Sequence, residues 1–215
     1  MSSNIALHVR MKVQPGKRDE LIDVLRPIEK KAREDPGTLA YFIAIPAQGD
    51  DGTQIAMFEI YEDLAACDAH SAMPEVEPLR KALPTLLAEK PFSLRCTPFG
   101  KGFIRPGISE EKADAGLSLM IRMTWAEGTD MAQVKSNFED LIAYSQTESQ
   151  TFAYHYATNE ETPNTLYAFE QFESGEFCMG THMKSDQFIK TQSYAADALT
   201  PDPLFAKRVL GFSKK

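Results

Sequence analysis

One pattern occurs twice in this chain, and that limits what it can fold into. An alternating stretch from Ile5 to Val13 returns from Gly116 to Trp125. Within and beyond it, Arg10 recurs as Arg122, Ala40-Tyr41 as Ala153-Tyr154, Phe58-Glu59-Ile60-Tyr61 as Phe169-Glu170-Gln171-Phe172, and His70 as His182. The spacing stays within one residue of 112 throughout, and it drifts only where loops tolerate a change. A period this long is not that of a solenoid, whose repeats run roughly 20–50 residues. The 215 residues therefore read as two copies of a small domain.

Each copy reads as the same order of elements. In the first, Leu7, Val9, Met11 and Val13 alternate with polar residues, which is strand periodicity. Pro15-Gly16 ends that strand. Asp19 to Asp35 carries Leu21, Val24, Leu25, Ile28 and Ala32 on one helical face, with Pro27 expected to kink it. Leu39–Ile45 and Gln54–Glu62 form a hairpin, Asp63–Met73 a second helix followed by Pro-broken helical turns to Leu87, and Phe92–Phe99 a last strand. The second copy repeats this with strands at Leu117–Trp125, Phe152–Ala157, Thr165–Phe172 and Phe205–Phe212, and helices at Asp130–Ser145, Glu176–Met183 and Gln187–Leu199. The expected division is 1–101, a polar linker over 102–115, and 116–215.

A βαββαβ unit is the ferredoxin-like arrangement, an antiparallel sheet with both helices on one face. The other sheet face is apolar as well and needs a cover. The expected fold is therefore α+β: two tandem ferredoxin-like units packed sheet to sheet as an intramolecular pseudo-dimer, with a further homodimer left open.

These residues resemble the antibiotic biosynthesis monooxygenase family of the dimeric α/β-barrel superfamily. In the first half the resemblance rests on the β1 pattern with Pro15-Gly16-Lys17, on Asp35-Pro36-Gly37-Thr38, on Phe58 to Glu62, and on the helix leading to His70. In the second it rests on Phe169 to Glu173 and His182. The resemblance implies a dimeric α/β barrel completed within one chain. It also implies a monooxygenase without flavin or metal, acting with dioxygen on an aromatic polyketide, anthrone or quinol. Haem binding and degradation, a non-oxidative lyase or cyclase, and a ligand-binding stress protein are the alternatives the superfamily offers. The chain departs from the family in three places. Tyr61 and Phe172 stand where oxygenating members usually carry Trp. Met57 and Ala168 stand where anthrone-oxidising members often carry Asn. The second half lacks the Gly of the helix-ending turn.

His70 and His182 are candidate general bases, because imidazole titrates near working pH. The plainer role for either is a helix-end side chain bonded to a carbonyl. Arg10 with Glu59 and Arg122 with Glu170 read as cross-strand ion pairs inside a covered sheet. In the functional alternative the Arg steadies an enolate or phenolate oxygen. Residues 1–107 hold seven aromatic side chains and the remainder twice as many, including Trp125. That imbalance points to the C-terminal half as the substrate cavity. His182 is then the base, Arg122 the stabiliser, and Trp125, Tyr154, His155, Tyr167 and Phe172 the walls. His70, with Tyr41 and Tyr61, forms the corresponding set in the first half.

Other classes are disfavoured. A net charge of −8 argues against nucleic acid and anionic membrane as partners. Cys67, Cys96 and Cys178 make no disulfide framework. Cys67–His70 and Cys178–His182 each supply two ligands where a closed zinc site takes four, so neither reads as a metal site. With no leader evident from Met1 to Asn4 and no long apolar run, a cytoplasmic location is the expectation.

Overall fold

In the computed structural model, which describes residues 4–214, two units of like topology follow one another. Residues 1–3, on which part of the leader reading rests, lie outside the described residues. The first unit contains β1 (Ile5–Lys12), α1 (Arg18–Glu34), β2 (Thr38–Pro46), β3 (Gln54–Tyr61), α2 (Leu64–Ser71), α3 (Val76–Leu86) and the start of β4 (Phe92–Ile104). The second contains α4 (Glu110–Ala115), β5 (Leu117–Trp125), α5 (Met131–Ser145), β6 (Thr151–Thr158), β7 (Thr165–Phe172), α6 (Gly175–Gly180), α7 (Asp186–Ser193) and the start of β8 (Leu199–Ser213).

The first sheet runs β4-β1-β3-β2, the ferredoxin-like order, with all pairs antiparallel. The second repeats it as β8-β5-β7-β6. The α+β class and the tandem ferredoxin-like units are as the sequence led us to expect. α1 runs through Pro27 as one helix. Its first turn carries Asp19 and Glu20, and its last Lys31 and Arg33, which suits the helix dipole at both ends.

Where the halves end differs from the sequence division. Phe92 to Cys96 of β4 pair with β1, but Thr97 to Ile104 pair with β6. Ala206 to Ser213 of β8 likewise pair with β2 and count with the first unit. Each four-stranded sheet thus gains a fifth strand on what would be its open edge, from the tail of the other copy's last strand. A free edge with unpaired amides and carbonyls is a liability that such a tail removes. The register shifts once along each added tail, at Val209 beside β2 and from Gly100 (φ +65°) to Gly102 beside β6, and Gly211 (φ +130°) follows the first of these shifts. At Gly211 the need for glycine is absolute, since a Cβ would lie 2.0 Å from the Tyr41 carbonyl oxygen. The expected linker is largely structured. It contains the end of β4 and the helix α4, capped by Ser109, whose hydroxyl accepts from the Lys112 amide at 3.1 Å.

Strand alternation sorts each sheet into two faces. In the first unit Val9, Met11, Tyr41, Ile43, Ile55 and Met57 share a face and pack against Leu21, Leu25 and Ile28 of α1 and Leu86 of α3. In the second unit the matching face holds Leu119, Met123, Trp125, Tyr154, Tyr156 and Phe172 against Val134, Phe138 and Leu141 of α5. Among the described residues, no helix is long and apolar enough to cross a membrane.

Candidate functional site

The helix-facing side of the first sheet carries a cavity of about 250 Å³. β1 contributes Leu7, Val9 and Met11, β2 Tyr41, and β3 Met57 and Glu59. The helices contribute Ile28, His70, Leu79, Arg80 and Leu83. The walls are mostly apolar, so Glu59 and His70 stand out.

Register places Glu59 directly opposite Tyr41 on one side and Leu7 on the other. It is almost wholly buried, and the Tyr61 hydroxyl donates to its Oε2. Burial outweighs that hydrogen bond and pushes the carboxyl up to about 7. His70 reaches the site from the last turn of α2. Asp63 starts that helix by accepting from the Ala66 amide at 2.8 Å. Gly37 lets it approach, because a Cβ there would lie 2.8 Å from the Ala66 Cβ. His70 is 6% exposed, between the rings of Tyr41 and Tyr61 at 5.5 and 5.3 Å. Burial lowers its pKa to about 4, so the ring is neutral at neutral pH. Its buried Nδ1 has no hydrogen-bond partner among the described residues. A buried ring nitrogen without a partner is costly to fold.

The second unit has the same scaffold with the polar groups closed on one another. His182, 0% exposed in a 3₁₀ turn after α6, has both ring nitrogens engaged. Nδ1 lies 2.8 Å from Glu148 Oε2, and Nε2 lies 3.2 Å from the Tyr154 hydroxyl. Tyr156 donates to Glu170, whose carboxyl is pushed up by burial. The Phe172 ring lies tilted against His182 at 4.9 Å and the Phe188 ring edge-on to it at 5.3 Å, and Phe138 lies 4.9 Å from Tyr156.

Residues 4–82 match the model of a family described as antibiotic biosynthesis monooxygenase. The match covers the scaffold that positions Glu59 and His70. Over 99% of its length the chain is also similar in fold to two solved structures assigned provisionally as monooxygenases. One is from Fusobacterium nucleatum (TM-score 0.81, 14% identity, 95% of that chain) and one from Lactobacillus acidophilus (0.81, 14%, 97%). A third, described as an anthrone oxidase-like protein, matches with TM-score 0.66 and 9% identity over 99% of this chain and 94% of that one. No protein of curated function matches significantly.

Within the first unit, the structure brings together His70, Tyr41 and Tyr61 from the sequence reading, and adds Glu59. Glu59 was visible in the sequence, but as the partner of Arg10. The register excludes that pair. Arg10 is opposite Ala56, so it lies on the other face of the sheet from Glu59. The same holds in the second unit. Arg122 is opposite Tyr167 while Glu170 is opposite Leu119, and exposed Arg122 pairs with Asp202 at 3.0 Å. Arg122 is thus on the opposite face from Tyr154 and Glu170, away from His182's partners. His155 and Tyr167 also sit on that opposite face. Trp125, Tyr154 and Phe172 share the helix-facing side as expected. There they are buried core, with Trp125 edge-on to Phe138 at 6.0 Å. The aromatic excess of the C-terminal half therefore fills its interior. Cys67 and Cys178 are buried, and burial raises both thiol pKa values. Among the described residues, no group of three or more His, Cys, Asp or Glu could hold a metal ion.

Proposed function

We propose that the first unit is a cofactor-independent oxygenase site for a compact aromatic quinol or phenol. One observation carries the reading. A mostly apolar cavity is lined by a neutral, buried histidine and a buried carboxyl. A substrate hydroxyl placed there gives its proton to the His70 ring. The resulting phenolate is electron-rich enough to react with dioxygen, and the dry walls keep water from competing. The relative described as anthrone oxidase-like lends support to an oxidative direction.

Size narrows the substrate class. About 250 Å³ lies just below the ~300–1,000 Å³ typical of pockets for drug-sized ligands. One or two fused rings fit better than the three of an anthrone, and a haem macrocycle is poorly accommodated. The second unit contributes structure, because its histidine and phenols are already committed to one another.

The test is oxygen uptake by the purified protein with a substituted hydroquinone or naphthohydroquinone. The wild type accelerates uptake, and His70→Ala slows it at least ~10²-fold, the usual scale for a general base. Turnover unchanged in that variant removes His70 from the mechanism.

A further inference from the structure

We propose that Glu59 and His70 act as an acid–base pair that interconverts the keto and enol forms of a bound cyclic ketone, with no oxygen consumed. The proposal uses the same cavity as the oxygenase reading but does not need its oxidative half.

The arrangement is asymmetric in a useful way. Tyr61 donates to Glu59 Oε2, which leaves Oε1 as the carboxyl oxygen able to meet a ligand. Glu59 lines the cavity from β3, and His70 lines it from α2. Tyr41 ties the two together, lying opposite Glu59 in the sheet and 5.5 Å from the His70 ring. The remaining sheet-side lining is Leu7, Val9, Met11 and Met57, which offer no proton-transfer group, and the Ser93 hydroxyl at the start of β4. At neutral pH a carboxyl held up to about 7 still carries its proton in a large fraction of molecules, and an imidazole held down to about 4 carries none. Among the lining groups, Glu59 thus offers a protonated carboxyl as donor and His70 a neutral imidazole as acceptor, the complement of a carbonyl with an acidic neighbouring C–H.

The step balances without a co-reactant. The neutral His70 ring takes the proton from the carbon next to the carbonyl. The C–H electron pair becomes the C=C bond, the C=O π pair moves to oxygen, and that oxygen takes the proton from Glu59 Oε1. Proton return through solvent resets both groups, and nothing is oxidised or reduced. Tyr61 is a positioning residue, holding Glu59 from behind.

The experiment uses the full chain and 2-tetralone in D₂O buffer under nitrogen, following loss of the α-proton signal by NMR. The wild type exchanges faster than buffer, and Glu59→Gln and His70→Ala each slow exchange at least ~10²-fold. Gln keeps an oxygen for Tyr61 to donate to. Should that variant melt early, Glu59→Asp retains a carboxyl and must retain measurable exchange. No acceleration by the wild type, or full-rate exchange in Glu59→Gln, overturns the proposal. Oxygen uptake in air by the same proteins with naphthohydroquinone is read separately. Exchange without uptake refutes the oxygenase reading and leaves this one standing, and uptake without exchange does the reverse.

Discussion

Glu59 is a buried carboxyl whose neighbours are a phenol donating to it from its own strand, Tyr41 from β2, and His70 and Cys67 from α2. None of these carries a positive charge at neutral pH, so burial decides its protonation. Folding raises its pKa from 4.5 to about 7, so between those values the folded state holds a proton that the unfolded chain releases. Stability therefore falls as pH rises through that window, and the loss is complete above it. Glu59→Gln has no proton to lose. Its advantage over the wild type should be near zero below pH 4.5 and grow to about 3 kcal/mol by pH 8, following the size of the shift. Chemical denaturation of both proteins at pH 4.5 and pH 8 measures this. An equal gap at both values means the carboxyl is not protonated by burial. His70 titrates in the opposite sense, costing stability as pH falls from 6.5 toward 4, and it does so in both proteins alike.

The turn that links helix to strand explains why one histidine is open and the other locked. In the first unit Asp35 leads into β2, and its carboxylate accepts from the Thr38 hydroxyl at 2.7 Å and the Gly37 amide at 3.2 Å. In the second unit Glu148 holds the equivalent place. It accepts from the Thr151 hydroxyl at 2.9 Å, and its extra methylene carries the same oxygen to 2.8 Å from His182 Nδ1. One CH₂ distinguishes the two acidic side chains at this place. Asp35→Glu should therefore lock His70 in the first unit. Its pKa should rise from about 4 toward the ordinary 6.5 as a carboxylate comes beside it, and oxygen uptake should fall. NMR titration of the imidazole C–H signals is the measurement, and an unmoved titration contradicts the account.

Across the whole molecule the two copies have taken opposite courses on one scaffold. The buried carboxyl receives a phenol in each, but from different strands: Tyr61 on β3 in the first, Tyr156 on β6 in the second. Tyr156 stands where the first unit has Ile43, and Phe172 where it has Tyr61. The second interior is thereby filled by rings and a closed polar network. His182→Phe should remove the partner of a buried carboxylate and cost about 3 kcal/mol of stability. It should leave turnover per folded molecule unchanged. A loss of ~10²-fold in turnover would instead restore His182 as the base that the sequence reading made it. Denaturation curves and oxygen uptake on the same sample separate the two outcomes.

Duplication, element order and the α+β class were legible in the sequence because they rest on periodicity and turn chemistry, which are local properties. Alternation in β1 and β3 even contained the information that Arg10 and Glu59 face apart, once their register is known. Register itself is a pairing between distant segments, as are the exchange of strand tails at β4 and β8 and the reach of Asp35 against Glu148. No local pattern encodes them. Counting aromatic rings therefore pointed to the half whose rings fill its core. Only the folded arrangement shows that a cavity lined by both His70 and Glu59 lies in the first half, because a cavity is what packing leaves over rather than a property of any segment.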